Sequence, residues 1–145
     1  MSNGNGFDVR ELDRYSREIL RLAQRDMPRE TSKFLRTEGN KLKRVTVKKA
    51  KSKTNKKTGN YYKGIKRGKV YKYSVNNGMS VRVYGAYPAY HAHMLEYGHT
   101  IRKEKDGSVL GFVPGLHVFE EARREFTPVF AEDVRQFIDK MTEEL

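Results

Sequence analysis

The N-terminal third of the chain has the hydrophobic spacing of an α-helix. From Val9 onward, apolar residues recur at steps of three and four, and the same spacing continues beyond Pro28. Pro28 suits the first turn of a helix, and Asp26 is a residue type that caps one. The pattern therefore predicts a helical region over residues 7–50, as one long kinked helix or two in series. Residues 1–6 are predicted to be a flexible lead.

Alternation with a period of two replaces the helical spacing over residues 69–113, which predicts strands. The turn residues Asn76-Asn77-Gly78 divide the first part into a β-hairpin. Residues 90–97 have the spacing of a short helix that Gly98 would end. Residues 101–113 contain an Asp-Gly pair, which predicts a second hairpin or an extended loop.

Helical spacing returns in residues 114–145, with Pro128 expected to bend or briefly break the C-terminal helix. The chain of 145 residues fits one domain, residues 1–145. The predicted fold class is α+β, with a small antiparallel β-sheet of hairpins packed against long N-terminal and C-terminal helices. We expect both helices on one face of the sheet, and the segments 51–68 and 100–113 to project outward.

Composition narrows the classes of function. The chain contains no cysteine, which excludes a disulfide scaffold, thiolate metal ligands and a cysteine nucleophile. No apolar run approaches the roughly 18 residues that a membrane span needs, so no membrane or targeting segment is predicted. The net charge of +12 favours polyanions or acidic protein surfaces as partners.

Much of that charge lies in one segment, Lys41–Lys72, which holds fourteen Lys or Arg residues and no acid. Its centre, residues 51–68, is predicted to be a basic loop. Tyrosines interleave with the cations, which suits base stacking but also ordinary strand packing. The predicted interface residues are Lys48, Lys49, Lys51, Lys53, Lys56, Lys57, Lys63, Lys66 and Arg67.

One cluster has metal-ligand chemistry: His91, His93, Glu96 and His99. Its spacing matches no strong metal signature, although a small metal-dependent nuclease would be built around it. We predict no catalytic, cofactor-binding or metal-binding residue. Because Glu96 lies in an apolar segment, its carboxylate should be hydrogen-bonded, and we predict that Glu96, Gly98 and Thr100 form a structural turn.

Three segments in order resemble a known family. They are Thr58–Ile65, the hairpin strand Val81–Gly85, and Tyr90–Thr100, followed by Pro114–Ala122 at the entry to the last helix. This series is similar to that of the neck and tail-completion proteins of long-tailed bacteriophages. The resemblance covers Thr58–Leu145, and the order of its motifs is more specific than any single motif.

The resemblance implies a structural virion protein that is not an enzyme and needs no cofactor. It implies a homo-oligomeric ring, expected to be a hexamer, in the neck or at the head-proximal end of the tail, assembled in the bacterial host cytoplasm. Its partners would be the connector or stopper and the tail tube, close to viral DNA. The alternative is a basic nucleic-acid-binding protein that contacts DNA through the Lys-rich segment 41–72.

Overall fold

The N-terminal region forms a single continuous helical rod. The computed structural model describes residues 9–54, 59–72, 78–89 and 91–143. Helix α1 (Val9–Arg21) leads into a π-helical turn (Leu22–Asp26) and then into α2 (Met27–Lys53). Of the two arrangements predicted, the structure therefore has the single long helix.

The π turn explains how this helix passes Pro28 without ending. A proline inside a helix has no N–H to donate, and its ring crowds the carbonyl four residues earlier. The turn before it is widened, and the N–H of Met27 reaches the carbonyl of Leu22, five residues back. Asp26 keeps helical backbone angles and its side chain caps nothing, so the predicted capping role is wrong.

The predicted basic loop over residues 51–68 is largely wrong. Helix α2 continues to Lys53, a short helix α3 spans Asn60–Lys63, and strand β1 spans Ile65–Arg67. The local lysine density did not prevent helix formation, because lysine is a good helix former and α2 is held by tertiary packing. Residues 55–58, with the predicted interface lysines Lys56 and Lys57, lie outside the described residues.

The first predicted hairpin is confirmed as an interrupted antiparallel ribbon. Strand β1 pairs with β4 (Val83–Gly85), and β2 (Tyr71–Lys72) pairs with β3 (Met79–Ser80). The register shifts by one residue between these two short sheets. Residues 73–77, which include part of the predicted Asn-Gly turn, lie outside the described residues.

The second hairpin is also present. Helix α4 (Ala92–Tyr97) ends at Gly98, where strand β5 (Gly98–Arg102) begins, and β5 pairs with β6 (Val109–Pro114). A register shift falls between Ile101 and Arg102. Helix α5 (Val118–Glu143) follows and runs through Pro128 without interruption, so the predicted break at this proline is absent.

Helix α2 organises the packing. It lies antiparallel to α5, with Phe34 stacked on Phe137 at a centroid distance of 4.5 Å, and it also contacts α3, β1, β3 and β4. Ala50, Ile65 and Val118 form the fully buried centre of the core. The α+β class with long terminal helices and small antiparallel sheets is therefore confirmed, although the strands in the described part of the chain form three separate pairs instead of one sheet. None of the described helices is long and apolar enough to cross a membrane.

Two neighbouring tyrosines of α3 allow a test of this core. The hydroxyl of Tyr62 lies 2.9 Å from Thr54 Oγ1, whereas the buried hydroxyl of Tyr61 has no hydrogen-bond partner among the described residues. Burial, with the nearby Glu96 charge, raises the pKa of Tyr61 to about 12.

We expect Tyr61→Phe to leave the free energy of unfolding unchanged or to increase it, because it removes a buried group without a partner. Tyr62→Phe should lower it by about 1 kcal/mol, the usual value of one hydrogen bond. Urea denaturation at neutral pH measures both values. A larger loss for Tyr61→Phe than for Tyr62→Phe would contradict the assignment.

Candidate functional site

The carboxylate of Glu96 caps the N-terminus of α5. Its Oε1 accepts a hydrogen bond from the N–H of Phe119 at 2.8 Å, and its Oε2 accepts one from Glu120 at 3.0 Å. These N–H groups belong to the first turn of α5 and have no partner within the helix. Glu96 is buried, so the helix end compensates the desolvation of its charge. The predicted structural role of Glu96 is present in this geometry.

Backbone contacts extend the same junction. The N–H of Leu116 donates to the carbonyl of Leu95 at 2.7 Å, and that of His117 to the carbonyl of Glu96 at 3.2 Å. Gly98 has a φ of 86°, and a side chain there would meet the carbonyl oxygen of Val113. At Gly115 a Cβ would lie 2.2 Å from the Glu96 carbonyl oxygen. At both positions another backbone segment approaches so closely that only glycine fits.

The end of α2 joins this junction through Lys53. Its Nζ donates to the carbonyl of Leu116 at 2.8 Å and lies 2.6 Å from a carboxylate oxygen of Glu121. This pairing lowers the pKa of Glu121, chiefly through the hydrogen bond from Lys53. The junction, defined here as Glu96, Gly98, Gly115 and Lys53, thus connects α2, α4, the β5–β6 hairpin and α5.

Thr100 is not part of the junction, so its predicted role in the turn is wrong. It lies in β5 opposite Phe112 and is exposed. The turn is completed instead by Gly115 and by His117, whose φ of 52° is left-handed. Sequence reasoning missed these two residues, although the Pro114-Gly115 pair is a signal for a change of chain direction.

The predicted histidine cluster does not form a ligand set. Three ligand atoms lie within 4.8 Å of one another at one place among the described residues, and they belong to Glu96, His117 and Glu120. Both Glu96 oxygens already accept backbone hydrogen bonds, and His117 Nδ1 lies 3.1 Å from Glu120. His91 and His93 are exposed. The geometry is explained by helix capping and by the contact between His117 and Glu120.

Several of the predicted interface cations are engaged inside the chain. Lys49 lies 2.9 Å from Glu125 and Lys53 pairs with Glu121, as Lys41 does with Asp133 at 2.8 Å. Arg67 donates to Asn40 and to the carbonyl of Gly68. These contacts link α2 to α5 and to β1. The exposed candidates are Lys48, Lys51, Lys63 and Lys66.

The β5–β6 hairpin carries the most exposed apolar surface outside the helices. Leu110 and Phe112 lie on one face and are each 61% exposed, and Ile101 and Val113 are exposed on the other. Among the described elements, α4 is the one that packs substantially against the hairpin. Among the described strands, neither β5 nor β6 has a second strand neighbour. The hairpin therefore projects from the body with two apolar faces that the described residues leave uncovered.

An open groove of about 640 Å³ lies between α2, β3 and α5. Its lining includes Leu42, Val81, Phe126, Val134 and the buried residue Glu38. Lys41 lies 3.4 Å from one carboxylate oxygen of Glu38, while the other oxygen has no partner among the described residues. Burial is the main reason that the pKa of Glu38 is raised.

Comparisons with known proteins give no relative for this chain: no protein-family model, curated protein or solved structure matches it.

Replacing Glu96 tests the junction. We expect Glu96→Ala to lower the free energy of unfolding by about 2–4 kcal/mol, because it leaves two N–H groups of α5 without an acceptor near the core. Glu96→Gln keeps one acceptor oxygen and should lose less. Glu120→Ala, an exposed position in the same helical turn, is the control and should cost less than about 1 kcal/mol. Equal losses for Glu96→Ala and Glu120→Ala in urea denaturation would contradict the capping role.

Proposed function

We propose that this chain is a structural subunit of a tailed-bacteriophage virion that assembles into a ring in the neck or at the head-proximal end of the tail. The order of motifs from Thr58 to Leu145 supports this proposal. So does the α+β architecture, in which a projecting hairpin is fixed to a helical body. The expected ring is a hexamer that joins or terminates the tail beside its neighbouring virion proteins.

The observation that carries the proposal is the β5–β6 hairpin. Monomeric proteins rarely leave contiguous apolar patches uncovered, and an isolated two-stranded ribbon is marginal in water. Here both faces of the ribbon are apolar and exposed, at Leu110 and Phe112 on one side and at Ile101 and Val113 on the other. A neighbouring subunit that covers the ribbon would bury this surface.

The groove between α2, β3 and α5 is the surface that we assign to receive the hairpin of the next subunit. Its apolar lining suits Leu110 and Phe112, and its buried Glu38 suits the basic residues of the hairpin. Arg102, Lys103 and Lys105 are exposed at the hairpin tip. A cation placed near Glu38 would offset the desolvation of its carboxylate.

A hairpin that enters a groove elsewhere on the next copy makes a heterologous contact. Such contacts repeat in one direction and form a ring if the rotation between subunits closes. The junction at Glu96 supports this geometry because it fixes the hairpin base to α5, which itself lines the groove. The direction in which each hairpin points is thereby coupled to the position of the groove.

The exposed lysines Lys48, Lys51, Lys63 and Lys66 remain candidates for a second contact, with an acidic surface of another virion protein. They lie on α2, α3 and β1, away from the β5–β6 hairpin in sequence. Ring closure and attachment to the neighbouring protein would then use different surfaces.

Light scattering on the purified protein tests self-assembly. We expect a mass several times that of the 16.9 kDa chain. The double variant Leu110→Asp/Phe112→Asp should be monomeric, because charged side chains cannot enter an apolar groove. Val129→Asp/Ile138→Asp makes the same change at exposed positions of α5 and should leave the ring intact. A wild-type chain that stays monomeric at every concentration would overturn the ring.

Mixing two defective variants tests the heterologous geometry. Thr127→Arg/Ala131→Arg adds bulk and positive charge at exposed positions that line the groove. Each variant alone should be monomeric. A mixture of the groove variant and the hairpin variant should give a dimer and nothing larger, because one intact hairpin and one intact groove remain. A wild-type ring that persists in the hairpin variant would overturn the hairpin interface while leaving the assembly role standing.

A further inference from the structure

The N-terminal rod carries a stripe of arginines that the function proposed above does not use. Successive arginines are four, three, four, four and four residues apart, so each returns to the same face after about one helical turn. All are exposed. They are Arg10, Arg14, Arg17, Arg21, Arg25 and Arg29. At a rise of about 1.5 Å per residue, the stripe is about 28 Å long.

The π turn keeps the stripe in line. In a π-helical turn each residue rotates by less than in an α-helix, so the four-residue steps on either side of Arg25 return to the same face. Ordinary α-helical geometry would let two consecutive four-residue steps drift sideways. The wide turn that accommodates Pro28 therefore also aligns Arg21, Arg25 and Arg29.

The stripe lies on a part of the helix that projects beyond the body. Phe137, near the end of α5, stacks on Phe34 of α2, so α1 extends past the end of its antiparallel partner. Among the described elements, the adjoining π turn is the one that α1 contacts extensively. Arg14, Arg17, Arg21 and Arg25 have no hydrogen bond or ion pair to any described residue, whereas Arg29 pairs with Asp26 at 3.5 Å.

The stripe is specific in its residue type, arginine and not lysine, as well as in its spacing. Residues 1–32 contain six arginines and no lysine, whereas residues 41–72 contain mainly lysine. The planar guanidinium donates two parallel hydrogen bonds to an anionic group such as phosphate, which an ammonium cannot do. Residues 9–32 also contain five acidic residues, so the feature to be recognised is the line of arginines and not the net charge of the segment.

We propose that this arginine face binds the phosphate backbone of duplex DNA. An anion that fits it must present charges in a line about 28 Å long. A DNA duplex presents one phosphate per about 1.7 Å of its axis, which supplies such a line continuously. A second copy of this chain is a poor partner for the arginine face because it carries a net charge of +12. A folded acidic protein would need carboxylates arranged along the same length, whereas every duplex has phosphates in that order.

Salt-dependent binding of the full chain to a fluorescently labelled 30-base-pair duplex tests the inference. The stripe variant changes Arg14, Arg17, Arg21 and Arg25 to Gln, a good helix former that keeps the helix intact. The matched control changes the exposed residues Lys48, Lys51, Lys63 and Lys66 to Gln, which removes the same charge. Anisotropy titrations over a series of salt concentrations give the dissociation constant and its salt slope for each protein.

We expect the stripe variant to bind at least about tenfold more weakly, with a salt slope reduced by about 3 to 4, because each lost phosphate contact removes about 0.9 from the slope. The lysine control should change affinity by less than about threefold. Equal losses in the two variants, a larger loss in the lysine control, or no binding by the wild-type chain would each overturn the proposal. Displacement of the duplex by polyglutamate at equal charge concentration would also overturn it, in favour of an acidic protein partner.

This inference goes beyond the proposed assembly role, and the experiments can reject either proposal without the other. A monomeric wild-type chain that binds DNA through the stripe would keep the DNA contact and reject the ring. A ring indifferent to DNA would do the reverse.

Discussion

The arrangement of the second half of the molecule depends on one buried carboxylate. Glu96 lies at the end of a short helix, where burial would be costly for a charge without partners. The first turn of α5 supplies two N–H donors at 2.8 and 3.0 Å, and those donors in turn lack acceptors within their own helix. Each group satisfies the other, so α4 and α5 are held in one relative position. The hairpin between them leaves and returns at Gly98 and Gly115, where side chains would collide with the backbone of the same junction.

Half of this junction could be predicted from the sequence. A glutamate among apolar residues and followed by glycine must be hydrogen-bonded near a change of chain direction, and Glu96 and Gly98 are found there. The identity of the donors could not be predicted, because Phe119 and Glu120 are more than twenty residues away and any helix N-terminus would serve equally. Thr100 was assigned to the turn because it follows Gly98 by two residues. Strand β5 begins at Gly98, however, and an extended chain of two residues is enough to carry the Thr100 side chain away from the turn.

The contacts of the lysines show the same limit of prediction from local sequence. The segment 41–72 has no acid within it, so its cations were expected to face other molecules. Lys41, Lys49 and Lys53 instead meet Asp133, Glu125 and Glu121, which come in the opposite order along α5. That match is a property of the antiparallel register of two helices, which no local window contains.

The arginine stripe was missed for the complementary reason. Its acidic neighbours in sequence cancel its charge in any window, and only a helix that continues past Pro28 brings the six arginines onto one face.

The two proposed surfaces are coupled through the positive charge of the chain, and they respond to salt in opposite directions. Bringing several chains of net charge +12 into a ring concentrates positive charge, and this repulsion opposes closure most strongly at low ionic strength. DNA that neutralises the arginine stripes removes part of this repulsion and so favours the assembled state. By linkage, the assembled state must then bind DNA more tightly than the monomer does. Added salt weakens the DNA contact because counterions released into a more concentrated solution gain less free energy, while it screens the repulsion between subunits. An apolar hairpin contact is suited to such a ring because burial of Leu110 and Phe112 does not itself depend on the charge of the surroundings.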